Sequence, residues 1–401
     1  MDGARAAARR CTEELARGEL RGPLHGVPFG AKDIFYSAGL RTEAGSRVLA
    51  GFVPAYDATA VARLKAAGAI LLGKLHTTEF ATFDPAPTHN PWNLEHTPGG
   101  SSSGSAAAVG ARMAAAALGS QTAGSTLRPA SYCGVAALKP TYGRVSAYGV
   151  IPVAWTQDHV GFMARSVEDL ALLLQVTAGH DPADPNSSTE RVPDYTGALT
   201  RRRAPRLGVL HQGFLDRADA EVARVTNDAL ARLERSGASV EAVKLPAHFE
   251  TVYAACWTTV LVEAAAVHAD LYRRHADLYR PRIREMVELG TLVPGDLYLR
   301  ALRVRGRVRR EVLPLLERVD ALVTPTTPTP APAGLAATGD PVFQAPWTAL
   351  GLPTVTVPCG HSGSGLPLGL QLIARPFAEA SLLATAGWCE DVLGRAPAPA
   401  L

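Results

Sequence analysis

The stretch from Pro98 to Val135 constrains the fold more than any other part of the sequence, because it is built almost entirely of small residues. It reads PGGSSSGSAAAVGARMAAAALGSQTAGSTLRPASYCGV. Small side chains let main chains approach closely, and glycine adopts turns that other residues disfavour. The pattern predicts a glycine–serine loop, a helix over GSAAAVGARMAAAA, a short strand over LGSQT and a second tight turn around Ser125. Main-chain N–H groups in such a turn can converge on one point, which is what an oxyanion hole requires.

Strand and helix signals alternate along the rest of the chain. Helices are predicted over 3–17, over DATAVARLKAAG, and over 166–177, 219–236 and 379–393. Strands are predicted within PLHGVPFGAKDIF, over AILLGKL, 206–210 and 238–244, and over DALVTP, TVTVP and LPLGLQLI. This alternation predicts an α/β fold. With no internal repeat and no linker, we expect one domain over 1–401, with 190–320 as a candidate helical subdomain or lid and 394–401 as a tail.

Composition excludes several classes of protein. Hydrophobic residues make up 47% and charged residues 19% of the 401 residues, and the net charge is only +3. That balance indicates a packed core and does not favour a nucleic-acid or membrane partner. The five cysteines are scattered without a C-x-x-C pair, which fits a reducing compartment. With no apolar leader and no run of 18 apolar residues, we expect a cytoplasmic protein. The arginine-rich region 250–318 is interpreted as a solvated helical face rather than an anion-binding surface, because acidic residues are interleaved.

Lysine is scarce, occurring only at positions 32, 65, 74, 139 and 244, whereas arginine is abundant. Lysine can act as a general base if burial keeps it neutral, and arginine cannot. Lys32 lies in the apolar, glycine-bounded segment VPFGAKDI, which suits such a role. A salt bridge between Lys32 and the adjacent Asp33 is the alternative.

The glycine–serine loops have rival interpretations. A phosphate-binding loop of the G-x-x-x-x-G-K-[ST] type is absent, and so is the G-x-S-x-G motif of α/β-hydrolases around Ser125. Either loop alone predicts only a structural turn. The two loops together, with a lysine motif upstream, favour a catalytic site.

Several blocks of the sequence, in order, resemble the amidase signature family of serine amidohydrolases. GPLHGVPFGAKD is similar to its lysine motif, PGGSSSGSAAAV to its signature loop, and GSQTAGSTLRPASYCGV to its nucleophile segment. LKPTYGRVSAYGV, TQDHVGFMARSVEDLALLL, DALVTPTTPTPAP and GLPTVTVPCG followed by GLPLGLQLIARPFAE are similar to later blocks. The resemblance extends from Gly22 to Glu390 and implies the amidase signature fold, a central twisted mixed β-sheet covered by helices on both faces.

The resemblance also implies roles for individual residues. Ser125 is expected to be the nucleophile, Ser101 the bridging serine after a cis peptide bond, and Lys32 the base. The main-chain N–H groups expected to form the oxyanion hole belong to Thr122, Ala123, Gly124 and Ser125. The residues expected to support the site are Ser102, Gln121, Asp158 and Arg128.

The nucleophile segment departs from the family pattern D-T-G-G-S-I-R. Gln121 replaces the acid, Ala123 replaces a glycine, and Arg128 lies one place later than the family arginine. We expect a hydrogen-bond arrangement centred on Gln121 in place of an ion pair, without a direct bond from Gln121 to Arg128. Ala123 disturbs the turn only if its φ is positive.

The predicted function is hydrolysis of a linear carboxamide through an acyl-enzyme at Ser125, with release of ammonia or an amine. The first alternative is the glutaminase (A) subunit of a tRNA-dependent amidotransferase, and the second is a catalytically inactive binding protein with the same fold. His76, His89, His96 and His159 do not have metal-ligand spacing, so we expect neither metal nor cofactor. The expected partner is a small-molecule amide, and a homodimer is left open.

Overall fold

The structure is a computed structural model that describes residues 2–400, and its centre is one ten-stranded mixed β-sheet. The strands are β1 (Pro28–Lys32), β2 (Ile70–Leu75), β3 (Ala116–Gln121), β4 (Ala136–Lys139), β5 (His159–Ala164), β6 (Arg206–Val209), β7 (Ser239–Ala242), β8 (Ala321–Pro325), β9 (Thr354–His361) and β10 (Pro367–Ile373). Their order across the sheet is β2-β1-β3-β5-β4-β9-β10-β8-β6-β7. The predicted α/β class and mixed sheet are confirmed.

Thirteen α-helices are described, with five short 3-10 helices between them. They are α1 (Asp2–Ala16), α2 (Thr59–Ala66), α3 (Ser103–Gly110), α4 (Leu127–Tyr132), α5 (Val167–Thr177), α6 (Tyr195–Ala198), α7 (Ala220–Arg235), α8 (Thr251–His275), α9 (Pro281–Leu292), α10 (Gly295–Val312), α11 (Leu315–Arg318), α12 (Ala345–Ala349) and α13 (Glu379–Leu393). The 3-10 helices are Arg47–Leu49, Glu79–Ala81, Leu199–Arg201, Leu215–Arg217 and Ala276–Leu278.

The sheet combines parallel edges with an antiparallel centre. β1 pairs in parallel with β2 and β3, and β6 pairs in parallel with β7 and β8, whereas the pairs between β3 and β8 are antiparallel. Every residue of β3, β4, β5, β8 and β10 is buried. Strands whose residues are all buried require cover on both faces of the sheet, and the flanking helices supply it.

The small-residue helix is shorter than the sequence predicts. We expected it to continue through GSAAAVGARMAAAA, but α3 ends at Gly110 because Arg112 has a φ of +60°. The N–H groups of Arg112 and Met113 donate to the carbonyls of Val109 and Ala108, which is a Schellman arrangement with arginine in the usual glycine position. The chain is thereby released early enough for β3 to begin at Ala116. The elements α4, β4 and β5 were not among those predicted.

Residues 190–320 contribute to two parts of the molecule. β6, α7 and β7 form the predicted β-α-β unit at one edge of the main sheet, whereas 251–318 is helical. Helix α8 packs against both α9 and α10. By length and composition alone the segment Thr251–Leu278 is apolar enough to cross a membrane, but half of its apolar window is buried inside the protein. This burial is typical of a core helix. The division of the chain into one domain with a subdomain or lid stays a prediction.

Candidate active site

Strand β1 ends at Lys32, which lies fully buried beneath the small-residue segment. Its Nζ donates hydrogen bonds to Ser101 Oγ at 2.7 Å and to Ser120 Oγ at 2.8 Å. Burial holds the pKa of Lys32 well below its ordinary range; Asp158 opposes this effect and Arg128 adds to it. A lysine in this environment can be neutral at physiological pH, as a general base must be. Asp33, the alternative partner of Lys32, is paired with Lys74 instead, and its Oδ1 lies 3.6 Å from Lys74 Nζ.

Ser101 is positioned by the loop that leads into α3. The Gly100–Ser101 peptide bond is cis, and Ser101 is almost completely buried. The next residue ties this loop to two other parts of the site. The Ser102 N–H donates to the Ser125 carbonyl at 3.2 Å, and Ser102 Oγ donates to the Ser120 carbonyl at 3.3 Å. The first glycine–serine loop therefore lies directly against both β3 and the turn that carries Ser125.

Ser125 lies in the turn between β3 and α4, at the wall of a cavity. The Ser125 side chain is partly exposed, and within residues 2–400 its hydroxyl makes no hydrogen bond. The cavity has about 470 Å³ of empty space including its opening to solvent. We call this space the substrate cavity. It is lined by Ala81, Thr82, Phe83, Thr122, Ala123, Gly124, Ser125, Arg128, Trp257, Val260, Met286, Thr338, Gly339 and Pro341. The four residues predicted to form the oxyanion hole therefore all line one cavity.

Gln121 organises the turn through hydrogen bonds. Its Oε1 accepts from the N–H groups of Thr126 at 2.9 Å and Leu127 at 3.0 Å, and its Nε2 donates to Thr348 Oγ1 at 2.9 Å. Thr348 Oγ1 donates in turn to the Ala123 carbonyl at 2.7 Å. Gln121 thus provides an acceptor for N–H groups at the start of α4. It also holds the Ala123 carbonyl in place through Thr348. Among the described residues Gln121 and Arg128 share no hydrogen bond, as the sequence led us to expect.

The replacement of glycine by Ala123 fits the turn without strain. The non-glycine residues between 2 and 400 that have a positive φ are Ala44, Phe80, Ala81, Arg112 and Phe377. Ala123 is not one of them, so its Cβ meets no left-handed penalty. The neighbouring Gly124 is different, because a Cβ there would lie 2.6 Å from Gln344 Oε1.

Thr122 is held by a partly buried carboxylate. Thr122 Oγ1 donates to Asp158 Oδ1 at 2.6 Å, and Asp158 Oδ2 accepts from the N–H groups of Val153 at 2.8 Å and Ala154 at 3.0 Å. Burial raises the pKa of Asp158 to about 6, although the hydrogen bond from Thr122 works in the opposite direction. Asp158 therefore lies behind the turn and orients Thr122, and it does not face the substrate cavity.

Arg128 points back toward the first loop from the beginning of α4. Its Nη2 donates to the Gly100 carbonyl at 2.7 Å and to Thr338 Oγ1 at 3.2 Å. Its side chain is only 5% exposed, yet it lines the substrate cavity. Arg128 therefore contacts the main chain that carries Ser101 and also faces the space beside Ser125.

Two residues of the site escaped prediction from the sequence. Ser120 is the second hydrogen-bond partner of Lys32, and Thr348 connects Gln121 to the Ala123 carbonyl. Ser120 lies within the predicted strand LGSQT, two residues after Leu118, which pairs with Ala31 of β1. That parallel pairing, had it been predicted, would have indicated Ser120. Thr348 lies far away in the sequence, and no local pattern signals it.

The scarcity of lysine does not by itself single out Lys32, because a second lysine is also fully buried. Lys139 is fully buried and its Nζ donates to the Pro140 carbonyl at 3.2 Å and also to the Leu352 carbonyl. Burial lowers the pKa of Lys139 to about 7 and that of Lys74 to about 8. Neither lines the substrate cavity. Only Lys32 combines burial with contacts to serine hydroxyls beside Ser125.

One group of metal-ligand side chains occurs among residues 2–400, formed by Cys11, Glu14 and His25. Glu14 is already paired with Arg21, whose Nε donates to its carboxylate at 2.8 Å. Cys11 Sγ donates to the Gly68 carbonyl at 3.9 Å. These partners give the group a structural explanation without an ion.

The fold and the site together define a hydrolase of the α/β class with serine and lysine side chains at its centre. The Amidase family profile matches residues 1–383. The chain belongs to this family, the amidase signature family, and is an enzyme that acts on carbon–nitrogen bonds. The family resemblance predicted from the sequence is confirmed.

Several curated relatives are named as the A subunit of glutamyl-tRNA(Gln) amidotransferase. The relative from Moorella thermoacetica is 42% identical over 416 residues, covering 94% of this chain and 85% of that protein. The relative from Anaeromyxobacter dehalogenans is 41% identical over 437 residues, covering 99% and 89%.

Solved structures of the same fold include proteins of other descriptions. One is described as part of a vestigial protein complex that reveals the evolutionary origins of an s-triazine catabolic enzyme. It has a TM-score of 0.92 and 36% identity, and covers 99% of this chain and 90% of that chain. The peptide amidase from Stenotrophomonas maltophilia has a TM-score of 0.86 and 32% identity, and covers 99% and 88%. The same fold therefore occurs in proteins with different functional descriptions.

Proposed function

We propose that this protein hydrolyses the carbon–nitrogen bond of a small linear carboxamide through an acyl-enzyme at Ser125. The observation that carries the proposal is the buried Lys32, whose Nζ lies 2.7 Å from Ser101 Oγ, within a loop bonded to the Ser125 main chain. A serine hydroxyl becomes a useful nucleophile only when a neighbouring base accepts its proton. We assign Lys32 as the base and Ser101 as the group that passes the proton from Ser125 to it.

In the acylation step, Ser125 Oγ attacks the carbonyl carbon and passes its proton to Ser101, which passes its own proton to Lys32. The N–H groups of residues 122–125 stabilise the oxyanion. When the intermediate collapses, Ser101 donates a proton to the leaving nitrogen and recovers one from Lys32. Water then attacks the acyl-enzyme by the same route and releases a carboxylic acid. Ser120 accepts a hydrogen bond from Lys32. Proton transfer from Ser101 then requires the Ser101 hydroxyl to turn its hydrogen toward the lone pair of neutral Lys32.

A glutaminase subunit of a tRNA-dependent amidotransferase is the second candidate, and the sequence relatives support it better than they support a free-standing amidase. Those relatives, at 40–42% identity, are named as the A subunit of glutamyl-tRNA(Gln) amidotransferase. In this case the carboxamide is the side chain of glutamine, and partner subunits are required. The chemistry at Ser125 is the same for both candidates.

An ammonia-release screen distinguishes the two candidates. The purified chain is assayed with aliphatic, aromatic and amino-acid amides and urea derivatives, and with glutamine in the presence and absence of candidate partner subunits. Hydrolysis of simple amides by the chain alone supports the first candidate, whereas glutamine hydrolysis that depends on a partner supports the second. Ser125→Ala should abolish either activity, and full activity in that variant would refute the proposed nucleophile.

An inactive binding protein would give another result. A fluorophosphonate probe should label Ser125 in an active site with a working base, and should leave a catalytically idle protein unlabelled. The comparisons support an enzyme.

We also propose a cytoplasmic location and a small-molecule amide as partner. All five cysteines are free and buried, which is compatible with a reducing compartment. A homodimer and the absence of nucleic-acid and membrane partners stay predictions.

A further inference from the structure

We infer that Arg128 binds an anionic group of the substrate, so that the preferred substrate is a short carboxamide that also carries a carboxylate. This inference rests on the proposed function, because it places the anion in the same cavity as Ser125. It makes Arg128 a specificity-determining residue rather than only a support for the first loop.

The first observation concerns unused hydrogen-bond donors. An arginine guanidinium has five N–H donors, and it keeps its charge inside proteins. In Arg128 only Nη2 donates, to Gly100 and Thr338, whereas Nε and Nη1 are buried and have no acceptor among residues 2–400. Buried donors without acceptors are costly, and a buried charge without a counter-charge is more costly still. An anion bound in the cavity would accept hydrogen bonds from these donors and would also neutralise the guanidinium charge.

The second observation concerns charge in the cavity. Of the residues that line the substrate cavity in the described chain, Arg128 is the one that carries a charge. No ion pair involves Arg128 among residues 2–400. The carboxylate of Asp340 acts to raise the pKa of Arg128. Asp340 is nevertheless exposed, and its Oδ1 accepts a hydrogen bond from the Val342 N–H at 2.9 Å. The cavity therefore presents a positive charge that the protein itself does not neutralise.

The third observation concerns position. Arg128 lies three residues after Ser125, and its N–H donates to the Gly124 carbonyl at 3.1 Å at the start of α4. Ser125 lies in the turn just before this helix, and both residues line the substrate cavity. One ligand can thus present its carboxamide to Ser125 and a second group to Arg128, provided that the chain between the two groups is short. The two residues line one cavity that also opens to solvent, so such a ligand can reach both.

Matched pairs of amides test the inference. Succinamate is compared with 4-methylpentanamide and glutaramate with 5-methylhexanamide, because in each pair an isopropyl group replaces a carboxylate of similar shape. The wild-type protein should favour the carboxylated member by about 30-fold or more in kcat/KM, which corresponds to the lower limit for removing one partner of a buried charge pair. Glutaramate against glutamine then shows whether an α-ammonium group adds to recognition.

Variants separate recognition from structural support. Arg128→Met should remove the preference for the carboxylated member, whereas Arg128→Lys should retain part of it. If Arg128 only supports the Gly100 loop, Arg128→Met lowers kcat/KM for both members by the same factor, and the inference is overturned. Equal or better hydrolysis of the neutral amides by the wild type also overturns it, even if the Arg128 variants fail to fold. Failure of the proposed function is separate, because it shows as undiminished hydrolysis in Ser125→Ala.

Discussion

Burial determines the protonation state of Lys32. Its side chain has no exposure, and burial holds its pKa well below the ordinary value of 10.5. Between these two pKa values the unfolded chain binds a proton that the folded protein does not. The free energy of unfolding therefore rises with pH across this window, and at neutral pH the buried lysine opposes folding. The proposed chemistry at Ser125 thus requires a residue that makes the protein less stable.

Lys32→Met tests both consequences. The variant should lose at least about 10²-fold in kcat/KM, because the base is removed. It should nevertheless have a higher Tm than the wild type at pH 7, since methionine has no charge to lose on folding. The Tm advantage should shrink as the pH approaches 10.5, where the unfolded lysine also becomes neutral. The measurements are amide hydrolysis and thermal unfolding from pH 7 to 10. A Tm difference that does not change with pH would show that Lys32 is charged in the folded protein.

The close contact between helices α8 and α9 depends on a position that has no side chain. Gly290 of α9 lies against α8, where a Cβ would be 2.7 Å from Ala265 Cβ and would clash with the Leu261 carbonyl oxygen. The two helices can approach this closely only because position 290 has no side chain. The contact bears on function, because α8 contributes Trp257 and α9 contributes Met286 to the substrate cavity.

Gly290→Ala should therefore destabilise the protein by about 1–3 kcal/mol, as expected for overpacking. Gly306→Ala is the matched control, because its Cβ would meet only Arg310 Nη1, at 3.8 Å. Removing glycine from a helix without a clash stabilises by about 0.4–1 kcal/mol. Urea unfolding of both variants measures the difference. Equal effects of the two substitutions would contradict the close approach of α8 and α9.

At the scale of the whole molecule, the proposed catalytic residues and much of the cavity wall come from distant parts of the chain. The lysine and serines come from residues 32–125, whereas Trp257, Val260 and Met286 reach the same cavity from α8 and α9. These helices contribute no partner to the Lys32 hydrogen bonds. Changes in the helical layer should therefore alter which substrates fit without altering the reactivity of Ser125.

Met286→Ala should shift hydrolysis toward longer acyl chains. Removing the buried methionine enlarges the cavity, so the ratio of kcat/KM for hexanamide to that for propionamide should rise by about 10-fold. Leu289→Ala is the matched control on the same helix, because Leu289 is 47% exposed and should leave the ratio unchanged. Labelling of Ser125 by a small fluorophosphonate should proceed at the same rate in both variants. Slower labelling in Met286→Ala would show that the layer also shapes the reactive centre.

Local sequence patterns predicted most strands and long helices, including the β-α-β unit at 206–244 and helix α13, because the period of apolar residues reports burial directly. They failed at residues 111–117. There Arg112 adopts a conformation more typical of glycine, and the Ala115 N–H donates to the Pro28 carbonyl at 3.3 Å. A run of alanines favours helix locally, but pairing with β1 outweighs that preference.

The sequence by itself determined the family, the sheet-and-helix class and the candidates Lys32, Ser101 and Ser125, since these depend on residue type and spacing along the chain. Only the tertiary structure decided the contact between Ser120 and Lys32, the bond from Thr348 to Ala123, and the unneutralised guanidinium of Arg128 in the cavity. Those properties depend on which distant groups meet and on the water that they exclude. Neither is encoded in any local stretch of residues.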